Sequence, residues 1–93
     1  MEPRILNFVE AMTLASLIVI PENKNVVVDS FEAFLTASLE FSEAQWEKIV
    51  NFLDTIGLSQ STPEGTVTIL WNLLAINGVD SLIMAYTKLV KHE

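Results

Sequence analysis

Cysteine is absent from this 93-residue sequence, and histidine occurs once, as His92 beside the last residue. Disulfides and cysteine-ligated metals are therefore excluded, and a lone histidine at that position is expected to support neither a zinc site nor a catalytic triad. Basic residues are also scarce, with five Lys and Arg against twelve Asp and Glu, for a net charge of −7. That balance argues against direct nucleic-acid binding, which relies on Lys and Arg to displace counterions from phosphates, and it favours a basic protein surface as partner. Gly57, Gly65 and Gly78 are the only glycines and fit no phosphate-binding pattern. Glu43 and Glu47 form a carboxylate pair without a histidine or metal partner, so no enzyme and no cofactor is expected. Long hydrophobic runs are missing too. The densest stretch, Ala11 to Ile20, has about half of the roughly 20 residues a membrane span needs, and Glu10 and Pro21 close it off. Glu2 and Glu10 outweigh Arg4 in the leading segment and no small-residue cleavage pattern follows Pro21, so a secretory signal is not expected either. The expectation is an intracellular, soluble protein with no membrane partner.

What is abundant is apolar bulk, 51% of the residues. Its spacing predicts a single all-α domain over residues 1–93, built of about five to six short helices. Pro3 opens a first helix that runs to about Ile20, where Pro21 stops it. Residues 21–28 read as a loop that holds a short extended piece. Asp29, Ser30 and Glu32 resemble a capping box ahead of Phe31, Phe34, Leu35 and Leu39. A second box, Ser42 to Gln45, introduces an amphipathic helix with Trp46, Ile49, Val50, Leu53 and Ile56 on one side, ended by Gly57. Thr62-Pro63-Glu64 starts another helix to about Ile76, weakened slightly by the β-branched run from Thr66 to Ile69. After the Asn77-Gly78 turn, Asp80 caps a last helix through Leu82, Ile83, Tyr86, Leu89 and Val90, with Lys88 and Lys91 at its negative end.

The first helix is apolar on both sides. At about 100° per residue, Ile5, Phe8, Val9, Met12 and Val19 take one face. Leu6, Leu14, Leu17 and Ile18 take the other, among Asn7, Glu10 and Thr13. Left in water, four large aliphatics would forgo about 6–12 kcal/mol of burial, comparable to the stability of a small domain. Either short helices wrap that second face or a partner or second copy covers it, and the size of the domain favours the partner.

Four segments in order across nearly the whole chain resemble one family, the AsiA anti-sigma factors of T-even-type bacteriophages. Ile5, Glu10, Thr13, Ala15 and Ser16 are similar to its opening helix, and Ser30 to Leu35 to its Phe-x-Ala-Phe-Leu segment. Gln45 to Val50 resembles its aromatic-x-Lys-Ile-Val helix, and Gly78-Val79 with Met84 to Thr87 its Gly-Val and Met-Tyr-Thr close. Residues 54–77 depart most, being more apolar at Trp71, Leu73 and Leu74. The resemblance implies an all-helical protein in the cytoplasm of an infected bacterium. It would bind region 4 of the primary sigma factor within RNA polymerase, block recognition of the −35 element and, with a phage activator protein, redirect transcription to middle promoters. It also implies a homodimer that uses much the same surface when free.

Carried over, Glu10 matches the family's acidic residue and is the expected polar contact with sigma. Leu6, Thr13, Leu14, Leu17 and Ile18 share its face and would supply the apolar part, for sigma or for the homodimer. Ile5 falls on the opposite face and is expected to pack inside the subunit, as are Phe31, Phe34, Leu35, Trp46 and Trp71. On this reading Glu10→Lys or Leu14→Asp weakens sigma binding without unfolding the protein. The acidic middle, Asp29, Glu32, Glu40, Glu43, Glu47 and Asp54, is a solvated surface that speeds association with a basic module. Two other classes fit less well: a small chaperone or assembly protein holding an amphipathic helix of a client, and an acidic mimic of DNA, to which the apolar first helix contributes nothing.

Overall fold

Side-chain caps set where the helices begin in the computed structural model, which describes residues 4–20, 22–24 and 29–91. Helix α1 spans Phe8–Leu17. Asn7 Oδ1 accepts from the Glu10 N–H at 2.9 Å and Glu10 accepts from the Asn7 N–H at 3.0 Å, a complete capping box. The expected start at Pro3 is thus corrected, because Asn7 supplies the acceptor that Pro3 lacks. Pro3, Pro21 and residues 25–28, where the extended piece was expected, lie outside the described residues. Helix α2 spans Phe31–Ser38 with Ser30 as its cap, accepting from the Ala33 N–H at 3.0 Å. Neither Asp29 nor Glu32 takes part, so the expected box reduces to a single bond. Helix α3 spans Glu43–Thr55 behind Ser42, and α4 spans Pro63–Asn77 behind Thr62, with Pro63 in its first turn. Helix α5 spans Val79–Lys91, with Asp80 inside its first turn rather than capping it and Lys88 and Lys91 at its end.

Two helices end the same way on different residues. At the end of α3 the Leu58 N–H reaches back to the Leu53 carbonyl at 2.8 Å while Gly57 sits at φ +79°. At the end of α1 the Ile20 N–H reaches the Ala15 carbonyl at 3.0 Å, and the left-handed position is filled by Val19 at φ +53°. This backbone closure suits glycine and costs a side-chain-bearing residue about 1–2 kcal/mol. A Cβ on Gly57 would meet nothing within 4 Å, so Gly57→Ala isolates the backbone cost. Its expected loss is about 1–2 kcal/mol in chemical denaturation. Val19→Gly is expected to change stability in the opposite sense by less than about 1 kcal/mol, since relief of strain is partly offset by lost side-chain packing and a freer unfolded chain.

Helix α4 forms the middle of the core. Thr66, Val67, Ile69, Leu70, Leu73 and Leu74 are all buried along it, and this burial outweighs the weak helix preference of its β-branched run. Helix α1 lies along α5, α3 packs on α1, and α2 packs on α4. Phe34, Ile49, Leu53, Leu58 and Leu82 complete the core. Trp71 stands between Phe31 and Phe34, with ring centroids 5.9 and 5.8 Å away, and Trp46 packs on Phe41 at 5.2 Å. Both indoles are half-buried at the edge of the core. Among the expected core aromatics and aliphatics, Phe31 and Leu35 are corrected to exposed, at 37% and 41%: α2 buries only Phe34 and Ser38, and Phe31 keeps just an edge contact with Trp71. The fold is all-α, and no strand occurs among the described residues. Among them no single helix is long and apolar enough to cross a membrane, and α4 and α5 meet at 85°.

Candidate partner-binding surface

Amide side chains fasten α1 at both ends. Before it, Asn77 Oδ1 accepts from the Leu6 N–H at 2.7 Å, and Asn77 Nδ2 donates to the carbonyls of Arg4 at 3.1 Å and Leu73 at 2.9 Å. After it, Gln45 Nε2 donates to the Leu17 carbonyl at 2.9 Å instead of closing the box at the start of α3. Between these clamps, Ala11, Leu14, Ala15 and Ile18 turn inward. The small Ala11 and Ala15 let the α1 backbone approach its neighbours, while Leu14 and Ile18 fill the core.

This orientation corrects the expected division of faces. Leu6, Leu14 and Ile18, expected on the contact surface, are 8%, 0% and 3% exposed and belong to the subunit's own core. Ile5, expected to pack inside, is 67% exposed, and Phe8 and Val9, assigned to the same face, are 49% and 63% exposed, with Met12 half-buried beside them. The physical reason is that both faces are similarly apolar, so hydrophobicity alone selects neither; the long-range clamp from Asn77 and the two alanines decide.

The remaining expected residues do meet at one open feature. Glu10, Thr13 and Leu17 form one wall of a groove of about 410 Å³ whose other wall is Lys48, Asn51 and Thr55 of α3, with Phe52 and Ile56 between them and Val9 on the edge. Phe52 is 8% exposed and had no place in the expected core. On the α3 wheel it sits at the border of the apolar side, about 40° from both Ile56 and Lys48, and a large apolar residue at that border was the available signal that the buried side is wider than Trp46, Ile49, Leu53 and Ile56 alone. Thr13 Oγ1 donates to the Val9 carbonyl at 2.9 Å and so presents its methyl and the oxygen's lone pairs rather than a free hydroxyl proton.

Among the described residues Glu10 is the most engaged charge. Arg4 grips it through two parallel bonds, Nη1 to Oε1 at 3.0 Å and Nη2 to Oε2 at 2.7 Å, while the Asn7 N–H supplies a third. The Arg4 bonds first, and the Asn7 N–H second, hold its carboxyl below the usual carboxylate range. A group with a lowered folded pKa contributes stability that is present above its unfolded pKa and lost as pH falls through the folded one. The expected result is an acid limb of the stability curve beginning below about pH 4, part of which disappears in Glu10→Gln when thermal melts are compared between pH 7 and pH 3.

The all-helical domain thus carries an exposed apolar strip at the start of α1 beside a groove that mixes aliphatic, amide and charged groups. Comparison with protein-family models, with curated proteins and with solved structures finds no match for this chain.

Proposed function

We propose that this chain is an anti-sigma factor that binds region 4 of the bacterial primary sigma factor through α1 and the α1–α3 groove. The observation that carries the reading is the exposure of Ile5 just before α1 and of Phe8 and Val9 in its first turn, where the sequence resembles the AsiA family, next to Glu10, Thr13 and Leu17 on an open groove. Three large apolar side chains clustered at one end of one helix are the kind of patch that a partner covers. The partner is basic and helical, as a DNA-reading helix-turn-helix module is, and the net charge of −7 favours its approach. The same strip closes a homodimer when sigma is absent, and dimer and complex exclude each other. Binding blocks −35 recognition in the cytoplasm of the infected host, and an activator protein completes the switch to middle promoters. The chain itself performs no catalysis.

Glu10 meets a sigma arginine only by exchanging Arg4 for it, so Arg4 acts as an internal stand-in that leaves the pocket on binding. Sedimentation velocity of the protein alone and mixed with region 4 tests the proposal. A dimer that converts to a one-to-one complex, together with lost transcription from −35-dependent promoters, is the expected outcome. A monomer that ignores region 4 overturns it, and co-purification with a structural or secreted client at unchanged transcription would establish the chaperone reading in its place.

A further inference from the structure

Helix α3 separates two grooves. The second lies between α3 and the start of α4, has a volume of about 460 Å³, and is bounded by Trp46, Val50, Pro63 and Thr66 with residues 60–62. Of its four amide and hydroxyl side chains, all but Ser61 are engaged within the fold. Gln60 Nε2 donates to the Leu58 carbonyl at 3.0 Å, Thr62 Oγ1 accepts from the Gly65 N–H at 3.0 Å, and Thr66 Oγ1 donates to the Thr62 carbonyl at 3.0 Å. What the groove offers a ligand is thus an indole held in place by Phe41, the 45%-exposed Val50 and the ring of Pro63.

No charged residue lines it, but acidic ones flank it on α3 and at the start of α4. Stepping about 100° per residue along α3 puts Glu43, Glu47 and Asp54 on the same side as Val50, and all three are exposed. Glu64, also exposed, follows Pro63 directly. The one lysine of α3, Lys48, lines the other groove. An apolar floor with an indole under an acidic margin matches a side chain that is itself a long apolar stem with a planar cation at its end.

We infer that this groove docks an arginine-bearing helix of a protein partner. The guanidinium stacks on Trp46, its methylenes run along Val50 and Pro63, and Glu43 and Glu47, within one turn of Trp46, face the charge. A neutral aromatic ligand would leave the rim unused, and a nucleic acid would be repelled by it. The inference is independent of the α1 reading, since it concerns the other side of α3.

The probe is a synthetic amphipathic helical peptide with arginine at every fourth position, compared with versions carrying lysine or glutamine there. Binding to the full chain is read by calorimetry and by tryptophan fluorescence in a Trp71→Phe background, which leaves Trp46 as the sole indole. Affinity is expected in the order arginine, lysine, glutamine, with at least tenfold between the first and last. Val50→Glu is the decisive variant because it adds a carboxylate while blocking the floor. Diffuse attraction between opposite charges would then tighten binding, whereas a blocked groove weakens it. The expected result is at least tenfold weaker binding with an unchanged helical circular-dichroism spectrum. Glu43→Gln combined with Glu47→Gln is expected to weaken it about two- to fivefold, and Val9→Asp to leave it unaltered. Equal affinity for the arginine and glutamine peptides, or tighter binding by Val50→Glu, overturns the inference.

Discussion

Leu14→Asp is expected to leave no folded protein at 25 °C, while Val9→Asp, five residues away on the same helix, is expected to melt like the parent and lose its partner. Leu14 is 0% exposed in the core between α1 and its neighbours. Truncating a buried leucine to alanine alone costs about 2–5 kcal/mol. Replacing it with aspartate adds the cost of a carboxylate that has no cation or donor nearby, several kcal/mol more. Together these approach or exceed the roughly 5–15 kcal/mol that holds a domain of this size. Val9 is 63% exposed and sits in the first turn of α1, where a negative charge is favourable. Its substitution is expected to stay within about 0.5 kcal/mol of the parent. Placed at the centre of an apolar contact, however, the same aspartate becomes a desolvated charge when sigma or a second copy closes over it, and region 4 binding is expected to fall at least tenfold. Far-UV circular dichroism and gel filtration read the first variant, and sedimentation with region 4 reads the second. If Leu14→Asp instead folds and merely binds less well, the orientation of α1 described above is wrong.

That pair of variants marks where the sequence was informative and where it was not. Local chemistry was legible. Ser42 and Thr62 as caps, Pro63 in a first turn, Gly57 as a left-handed stop and the two lysines at the end of α5 are all decided by residues within a few positions of one another. The buried positions of α3 were legible at Ile49 and Leu53 because polar residues mark the opposite side. On α1 no such contrast exists, so the period of the pattern identifies a helix without saying which way it faces. The deciding contact, Asn77 to Leu6, spans 71 residues and has no local signature. The candidate site was legible in the same partial way: Glu10, Thr13 and Leu17 do line one groove, whereas the apolar residues beside it are Ile5, Phe8 and Val9 rather than Leu6, Leu14 and Ile18. Glu10 itself carries two duties that a wheel cannot separate, capping α1 and holding Arg4.

Asn77 therefore governs both the fold and the proposed surface. In Asn77→Ala the Leu6 N–H, part-buried in the parent, loses its acceptor, and the carbonyls of Arg4 and Leu73 lose a donor. Stranding one such group costs about 1–3 kcal/mol, and in a domain of this size each kcal/mol lowers Tm by about 4–8 °C. The consequence extends beyond stability. Residues 4–6 enter α1 through this clamp, and Arg4 reaches Glu10 only while they are in place. Released, they take Ile5 away from Phe8 and Val9 and free the Glu10 carboxylate. Hydrogen exchange is expected to show lost protection at the Leu6 amide, with the α3 and α4 amides exchanging only as much faster as the global destabilisation requires. Region 4 affinity responds to two opposing changes, since a disordered Ile5 weakens the apolar contact and an unpaired Glu10 is a readier acceptor for a sigma arginine. Arg4→Ala separates them, because it frees Glu10 while leaving Asn77 on Leu6. If Arg4→Ala binds region 4 more tightly and Asn77→Ala more weakly, the clamp serves to present Ile5 and Arg4 serves to occupy Glu10 until the partner arrives. If both variants bind as the parent does, the start of α1 is not the surface that sigma touches.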